Sequence, residues 1–170
     1  MSPDKLSRRD FLRLSGLGVA TLFAGPILNS CTFTKQAPDL EIALQAVPGE
    51  VPILPGKATR VWTYQGQVTK GDPASLPALP GSYLGPILRV RKRQRVRITF
   101  TNNLPEQSIV HWHGLRVPDD MDGHPRHAIG PGQTYVYEFQ VLNRAGTYWY
   151  HPHPHTLTGP QVYKGMAGLF

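Results

Sequence analysis

Thr134-Tyr135-Val136-Tyr137-Glu138-Phe139-Gln140-Val141 is the stretch that decides the fold class. Tyr135, Tyr137, Phe139 and Val141 occupy every second position. Successive strand residues point to opposite faces, so this pattern is a strand with one face in a core. Similar runs recur along the chain. Leu40–Val47 alternates in part and ends at Pro48-Gly49. Ala58–Tyr64 is β-branched and aromatic and ends before Gln65-Gly66. Ile87–Arg91 and Arg95–Asn102 flank Lys92-Arg93-Gln94, which reads as a hairpin turn. Ile109–Val117, Thr147–His151 and Val162–Phe170 complete the series. Thr69–Leu84, rich in Pro and Gly, reads as a long surface loop, and Pro118–Gly132 as a polar one. About eight short strands with no helical period after the first 35 residues predict an all-β domain, a Greek-key sandwich or barrel.

Composition agrees. The 170 residues hold 17 Gly and 17 Pro, with 40% hydrophobic and 17% charged residues, which favours short strands and tight turns over a helical bundle. The formal net charge is +7. Much of it lies in Arg89-Val90-Arg91-Lys92-Arg93-Gln94-Arg95-Val96-Arg97, where charges alternate with apolar residues near each end. That is the pattern of a solvated strand face, not of a nucleic-acid patch. No Gly-rich phosphate loop joins a strand to a helix, so nucleotide chemistry has no support.

The first 35 residues read as an address. Ser7-Arg8-Arg9-Asp10-Phe11-Leu12-Arg13 resembles a twin-arginine export signal, and a mildly apolar stretch follows from Leu14 to Leu28. Leu28-Asn29-Ser30-Cys31 resembles a lipoprotein cleavage box, with Asn29 unusual there. Cys31 is the single cysteine, so the expectation is either a lipid anchor at Cys31 or ordinary cleavage nearby. The predicted layout is signal and linker over 1–35 and one β domain over 36–170, exported to the periplasm or cell envelope by the twin-arginine machinery.

The chemistry concentrates in two histidine pairs. His111-Trp112-His113-Gly114 lies in a strand-like run, and His151-Pro152-His153-Pro154-His155 follows the aromatic Tyr148-Trp149-Tyr150. In a strand, residues i and i+2 share a face roughly 6.6 Å apart, so each pair offers two imidazoles on one side. Two such strands side by side would converge four imidazoles on one volume. Neutral imidazole suits Cu, Zn, Fe and Ni, and the spacing suits a metal cluster better than one ion. Trp112 falls on the opposite face and is expected in packing. Gly114 is expected to let backbone pass close to the site. His124 and His127 sit in the polar loop and are expected to be solvated.

These residues carry a resemblance. His-Trp-His-Gly, then Trp-Tyr-His-Pro-His-x-His, then Thr-Gly-x-Gln-Val-Tyr-x-Gly-Met-Ala-Gly is similar to the first cupredoxin (plastocyanin-like) domain of multicopper oxidases, a family that includes laccases, bilirubin oxidases and cuprous oxidases. Val61–Gly66, Gly85–Val90, Met121-Asp122-Gly123 and Pro131–Tyr135 extend the likeness across residues 39–170. The resemblance implies a cupredoxin-like fold with copper as cofactor. It implies that His111 is the type 2 copper ligand and that His113, His151 and His153 are type 3 ligands. These are half of the histidines of a trinuclear cluster that reduces O2 to water while a phenol-like organic or a metal ion is oxidised. It also implies that His155 is no ligand but supports the site or the fold.

Three departures stand out. Lys92-Arg93-Gln94 replaces the family's Lys-Gly-Asp, and Thr156 stands where glycine is common. The Cys-His type 1 copper site, where electrons enter, is not in this sequence. The apolar run Met166–Phe170 reads as a strand cut mid-run, so the expectation is a piece of a longer oxidase whose C-terminal cupredoxin domains complete the cluster. The competing expectation is a stand-alone copper-binding or storage protein of the cell envelope.

Overall fold

The chain folds as two packed β-sheets. The computed structural model describes residues 36–170, so the export signal and Cys31 lie outside the described residues. One sheet contains β1 (Leu40–Val51), β2 (Thr59–Lys70), β3 (Arg95–Asn102) and β5 (Thr134–Gln140) in the order β2-β1-β3-β5. The other contains β4 (Val110–His113), β6 (Trp149–Pro152) and β7 (Gly168–Leu169) in the order β4-β6-β7. All neighbours are antiparallel except β1 and β3, which run parallel.

Alternation places the core. Val96, Ile98 and Phe100 of β3 are buried, as are Leu40, Ile42 and Leu44 of β1, while the residues between them are more exposed. Tyr137 and Phe139 of β5 point the same way. From the second sheet Trp112 and Tyr150, both 0% exposed, enter this layer. The Trp112 ring lies 5.0 Å from Tyr137 and 5.8 Å from Tyr150. Burial of each such side chain contributes roughly 1.5–3 kcal/mol. Fixing Trp112 inward turns its neighbours His111 and His113 outward.

Several strands differ from the sequence reading. β1 runs through Pro48-Gly49 to Val51. Its pairing with β3 stops at Ala46, leaving that edge without a partner, where a proline costs no ladder bond. β2 runs through Gly66, because β1 continues alongside it and Leu76 and Pro86 pack against the bare glycine. The expected hairpin between Ile87–Arg91 and Arg95–Asn102 does not form. The turn is present, with Gln94 N–H donating to the Arg91 carbonyl at 3.0 Å. Ile87–Arg91 nevertheless stays with the second sheet, where Leu88 N–H meets the Leu169 carbonyl, and β3 pairs with β1 and β5. The turn is therefore a crossing between sheets.

The expected strand Val162–Phe170 is mostly something else. A short helix, α1 (Thr158–Tyr163), precedes a two-residue β7. Buried Gln161 holds α1: Ser108 Oγ donates to it at 2.9 Å, and its amide donates to Glu106 Oε1 and the Gln107 carbonyl. The basic run lies on the surface as expected, with Arg97 paired to Glu138 across the β3–β5 ladder at 2.9 Å. Among the described residues no helix is long and apolar enough to cross a membrane.

Candidate metal centre

The β4–β6 ladder brings the two histidine pairs together. His111 stands directly opposite His151, and His113 opposite Trp149. His153 follows β6 and is tied back by its N–H to the Ile109 carbonyl at 3.0 Å. The His111 ring centroid lies 5.6 Å from His113, 5.2 Å from His151 and 5.0 Å from His153. The donor atoms of His111, His113 and His151 all lie within 4.8 Å of one another. His153 is in ring contact with this triad, 6.0 Å from His151, but outside its donor grouping.

Backbone carbonyls set the tautomers. His111 Nδ1–H donates to the Asp122 carbonyl at 2.7 Å, His153 Nδ1–H to the Gly123 carbonyl at 3.3 Å, and His151 Nδ1–H to the Pro152 carbonyl at 2.9 Å. A carbonyl only accepts, so each of these rings keeps a bare Nε2. His113 turns the other way, its Nδ1 lying 3.2 Å from His151 Nε2. Burial lowers the pKa of His151, and the nearby His111, His113 and His153 push the same way against the Pro152 carbonyl. Burial likewise lowers that of His153, helped by His111. Both rings are held neutral, the form that binds metals.

The donor set fits a copper-type ion. It is all imidazole and partly shielded from water. Two ligands each about 2 Å from one ion stand a little over 3 Å apart in tetrahedral geometry, which is the His113–His151 spacing of 3.2 Å.

The surroundings include residues that the sequence reading did not assign. Trp149 stacks beside the pair, 4.9 Å from His113 and 4.3 Å from His151, tilted by 33° and 34°. Tyr137 Oη takes the Val110 N–H at 2.9 Å and donates to the Val110 carbonyl at 2.8 Å, fixing β4 one residue before His111. The carbonyls of Asp122 and Gly123 come from the long polar loop. The clue available in sequence was Asp-Gly shortly after His-x-His.

Other placements are mixed. The Asp122 carboxylate lies 3.4 Å from His111 Nδ1. Gly114 has φ 82 and ends β4, so its role is a turn rather than a passage for backbone. His155 is exposed and stands apart from the cluster. His124 and His127 are not simply solvated. His124 is half-buried and lies 3.1 Å from Asp119 and 3.7 Å from Asp122. His127 packs on Tyr135, ring to ring at 5.8 Å.

Fold and site together define a cupredoxin-like β domain with a histidine cluster. The sequence profile of the multicopper oxidase family matches residues 60–170. The chain belongs to that family. It is 42% identical over 100 residues to multicopper oxidase mco of Staphylococcus aureus, covering 59% of this chain and 22% of that protein. It is 34% identical over 169 residues to cell division protein FtsP of Glaesserella parasuis, covering 98% of this chain and 34% of that one. The McoA multicopper oxidase 2F4 variant of Aquifex aeolicus superposes with a TM-score of 0.64 at 36% identity, over 78% of this chain and 26% of that one. The chain thus spans about a fifth to a third of these relatives.

Proposed function

We propose that His111, His113, His151 and His153 hold copper as half of a trinuclear cluster, in an oxidase that reduces O2 to water while it oxidises a phenol-like organic or a metal ion. His111 takes the type 2 role, and His113, His151 and His153 take the type 3 role. The observation that carries this reading is the 3.2 Å gap between His113 Nδ1 and His151 Nε2, with His111 donors inside the same 4.8 Å group. Copper, when bound, supplies the one-electron redox chemistry that imidazoles lack. The chain's own residues orient the ligands. Carbonyls of Asp122, Gly123 and Pro152 hold three rings with Nε2 free, and Trp149 shields the His113–His151 pair. The remaining histidines and the electron-entry copper belong, on this reading, to further cupredoxin domains of a longer polypeptide. Residues 1–35 would direct export through the twin-arginine route, with a lipid at Cys31 as one outcome.

The test is copper titration of the purified chain, followed by electron paramagnetic resonance and metal analysis. The double variant His111→Ala with His153→Ala should lose most of the bound copper. Equal binding by both proteins would remove the metal-site reading.

A second reading rests on the FtsP relatives, which align along nearly the whole chain and carry a cell-division name. On that reading the domain serves a cell-division role without oxidase turnover. Failure of the native chain to bind copper would favour it. Stoichiometric binding with no oxidase activity in the complete polypeptide would favour the copper-storage alternative.

A further inference from the structure

His124 lies outside the four histidines of the cluster, yet it reaches them through a shared carboxylate. Its Nε2 stands 3.1 Å from Asp119 Oδ1 and 3.7 Å from Asp122 Oδ2. The other Asp122 oxygen, Oδ1, stands 3.4 Å from His111 Nδ1. Asp122 is thus held between two imidazoles, one at each oxygen. Carboxylates only accept, so His124 Nε2 carries a proton and presents it to the two aspartates.

The polar loop is shaped to place this ring. Asp119–Met121 and Pro125–His127 are short helical turns on either side of Asp122-Gly123. Asp122 N–H donates to the Asp119 carbonyl at 3.4 Å, and His127 N–H to the His124 carbonyl at 2.9 Å. Gly123 between the turns has φ 75 and reverses the chain, which brings His124 back over Asp119 and Asp122. Arg126 pairs with the remaining Asp119 oxygen, Oδ2. The side chain of Asp119 is 74% exposed, that of His124 34% and that of Asp122 24%. The run from Asp119 through His124 and Asp122 to His111 therefore leads inward from the surface. Its inner contacts are screened less than a surface pair would be.

We infer that His124 is a positioning residue for His111, acting through Asp122. The terminal torsion of an aspartate is broad, so its carboxylate turns freely unless both oxygens are engaged. With Oδ2 against His124, Oδ1 stays beside His111 Nδ1. There its charge supports the Nδ1–H that donates to the Asp122 carbonyl at 2.7 Å. It also raises the electron density at Nε2, the free ligand atom. The effect on copper rests on the metal reading proposed above, whereas the effect on the His111 ring does not.

Two measurements on the purified chain test this. In the metal-free protein, NMR with 15N-labelled histidine reads how fast the His111 Nδ1–H exchanges with water. His124→Ala should speed that exchange about fivefold or more. His124→Gln, whose amide can donate to the same carboxylates, should restore most of the protection. In the Asp122→Asn background His124→Ala should have little further effect, because the carboxylate through which it acts is gone. A merely structural loosening of the loop would act in both backgrounds. In copper titration followed by electron paramagnetic resonance, His124→Ala should weaken binding about tenfold and shift the copper hyperfine splitting, and His124→Gln should do so less. Unchanged His111 exchange in His124→Ala, or equal acceleration in the Asp122→Asn background, would overturn the assignment. Copper binding and spectrum untouched by His124→Ala, in a chain whose native form binds copper, would overturn the tuning of the ligand. Faster exchange in His124→Ala with no copper bound by the native chain would uphold the positioning role and remove the metal reading instead.

Discussion

Gly123 lies against the backbone of Val110 so closely that a Cβ on Gly123 would fall 1.9 Å from the Val110 carbonyl oxygen. Its φ is 75. The polar loop can press onto β4 only because this residue has no side chain. That contact delivers the Asp122 and Gly123 carbonyls to His111 and His153.

Gly123→Ala should therefore disturb both stability and the centre. Left-handed backbone plus a backbone clash should cost about 2–4 kcal/mol. Displacing the two carbonyls should weaken copper binding about tenfold or more. Gly132→Ala separates the effects, since Gly132 has φ 74 but open space around it. It should cost only about 1 kcal/mol and leave copper binding unchanged. Urea unfolding and copper titration of both variants measure this.

Two departures from the family pattern coincide with strained backbone. Arg93 has φ 71 and Thr156 has φ 63. Glycine relieves the left-handed strain but raises the entropy of the unfolded chain, so the gain is partial. Arg93→Gly and Thr156→Gly should each stabilise the fold by about 0.5–1 kcal/mol. Thr156 should gain more, because a β-branched residue tolerates this region least. Lower denaturation midpoints in both variants would contradict the reading.

Gln161 supports α1 from inside the protein. Replacing it with Leu would leave Ser108 Oγ and the Gln107 carbonyl without their buried partner. The expected loss is about 2–3 kcal/mol, seen as a lower midpoint in urea at unchanged slope.

The metal-free chain should show a pH dependence with a defined sign. Folding lowers the pKa of His151 and His153 from the ordinary value of 6.5. The unfolded chain therefore binds more protons in mildly acidic solution. The stability contributed by these rings is present above about pH 6.5 and is lost as pH falls through the lower folded values. Thermal midpoints from pH 8 to 5 should decline, and a variant with His151→Gln and His153→Gln should decline less.

Much of the fold was legible along the chain. The alternation in Thr134–Val141 and Arg95–Asn102 became β5 and β3, because a half-buried strand writes its faces into every second residue. The His-x-His spacing likewise announced two imidazoles on one face, and Trp112 between them went to the core. What was not legible depended on contacts distant in sequence. Lys92-Arg93-Gln94 carried a turn signal whether it closed a hairpin or crossed between sheets. Gln161 carried no apolar period that would mark α1.

The sequence by itself determined that this is a β domain with two histidine pairs and the motifs of multicopper oxidases. Strand period and ligand spacing are local properties, so one chain read alone displays them. Only the tertiary structure decided that His111 faces His151 across a ladder and that Asp122 and Gly123 supply carbonyls to the rings. Those relations depend on register and on backbone atoms, which are the same for every residue and leave no mark in the order of side chains.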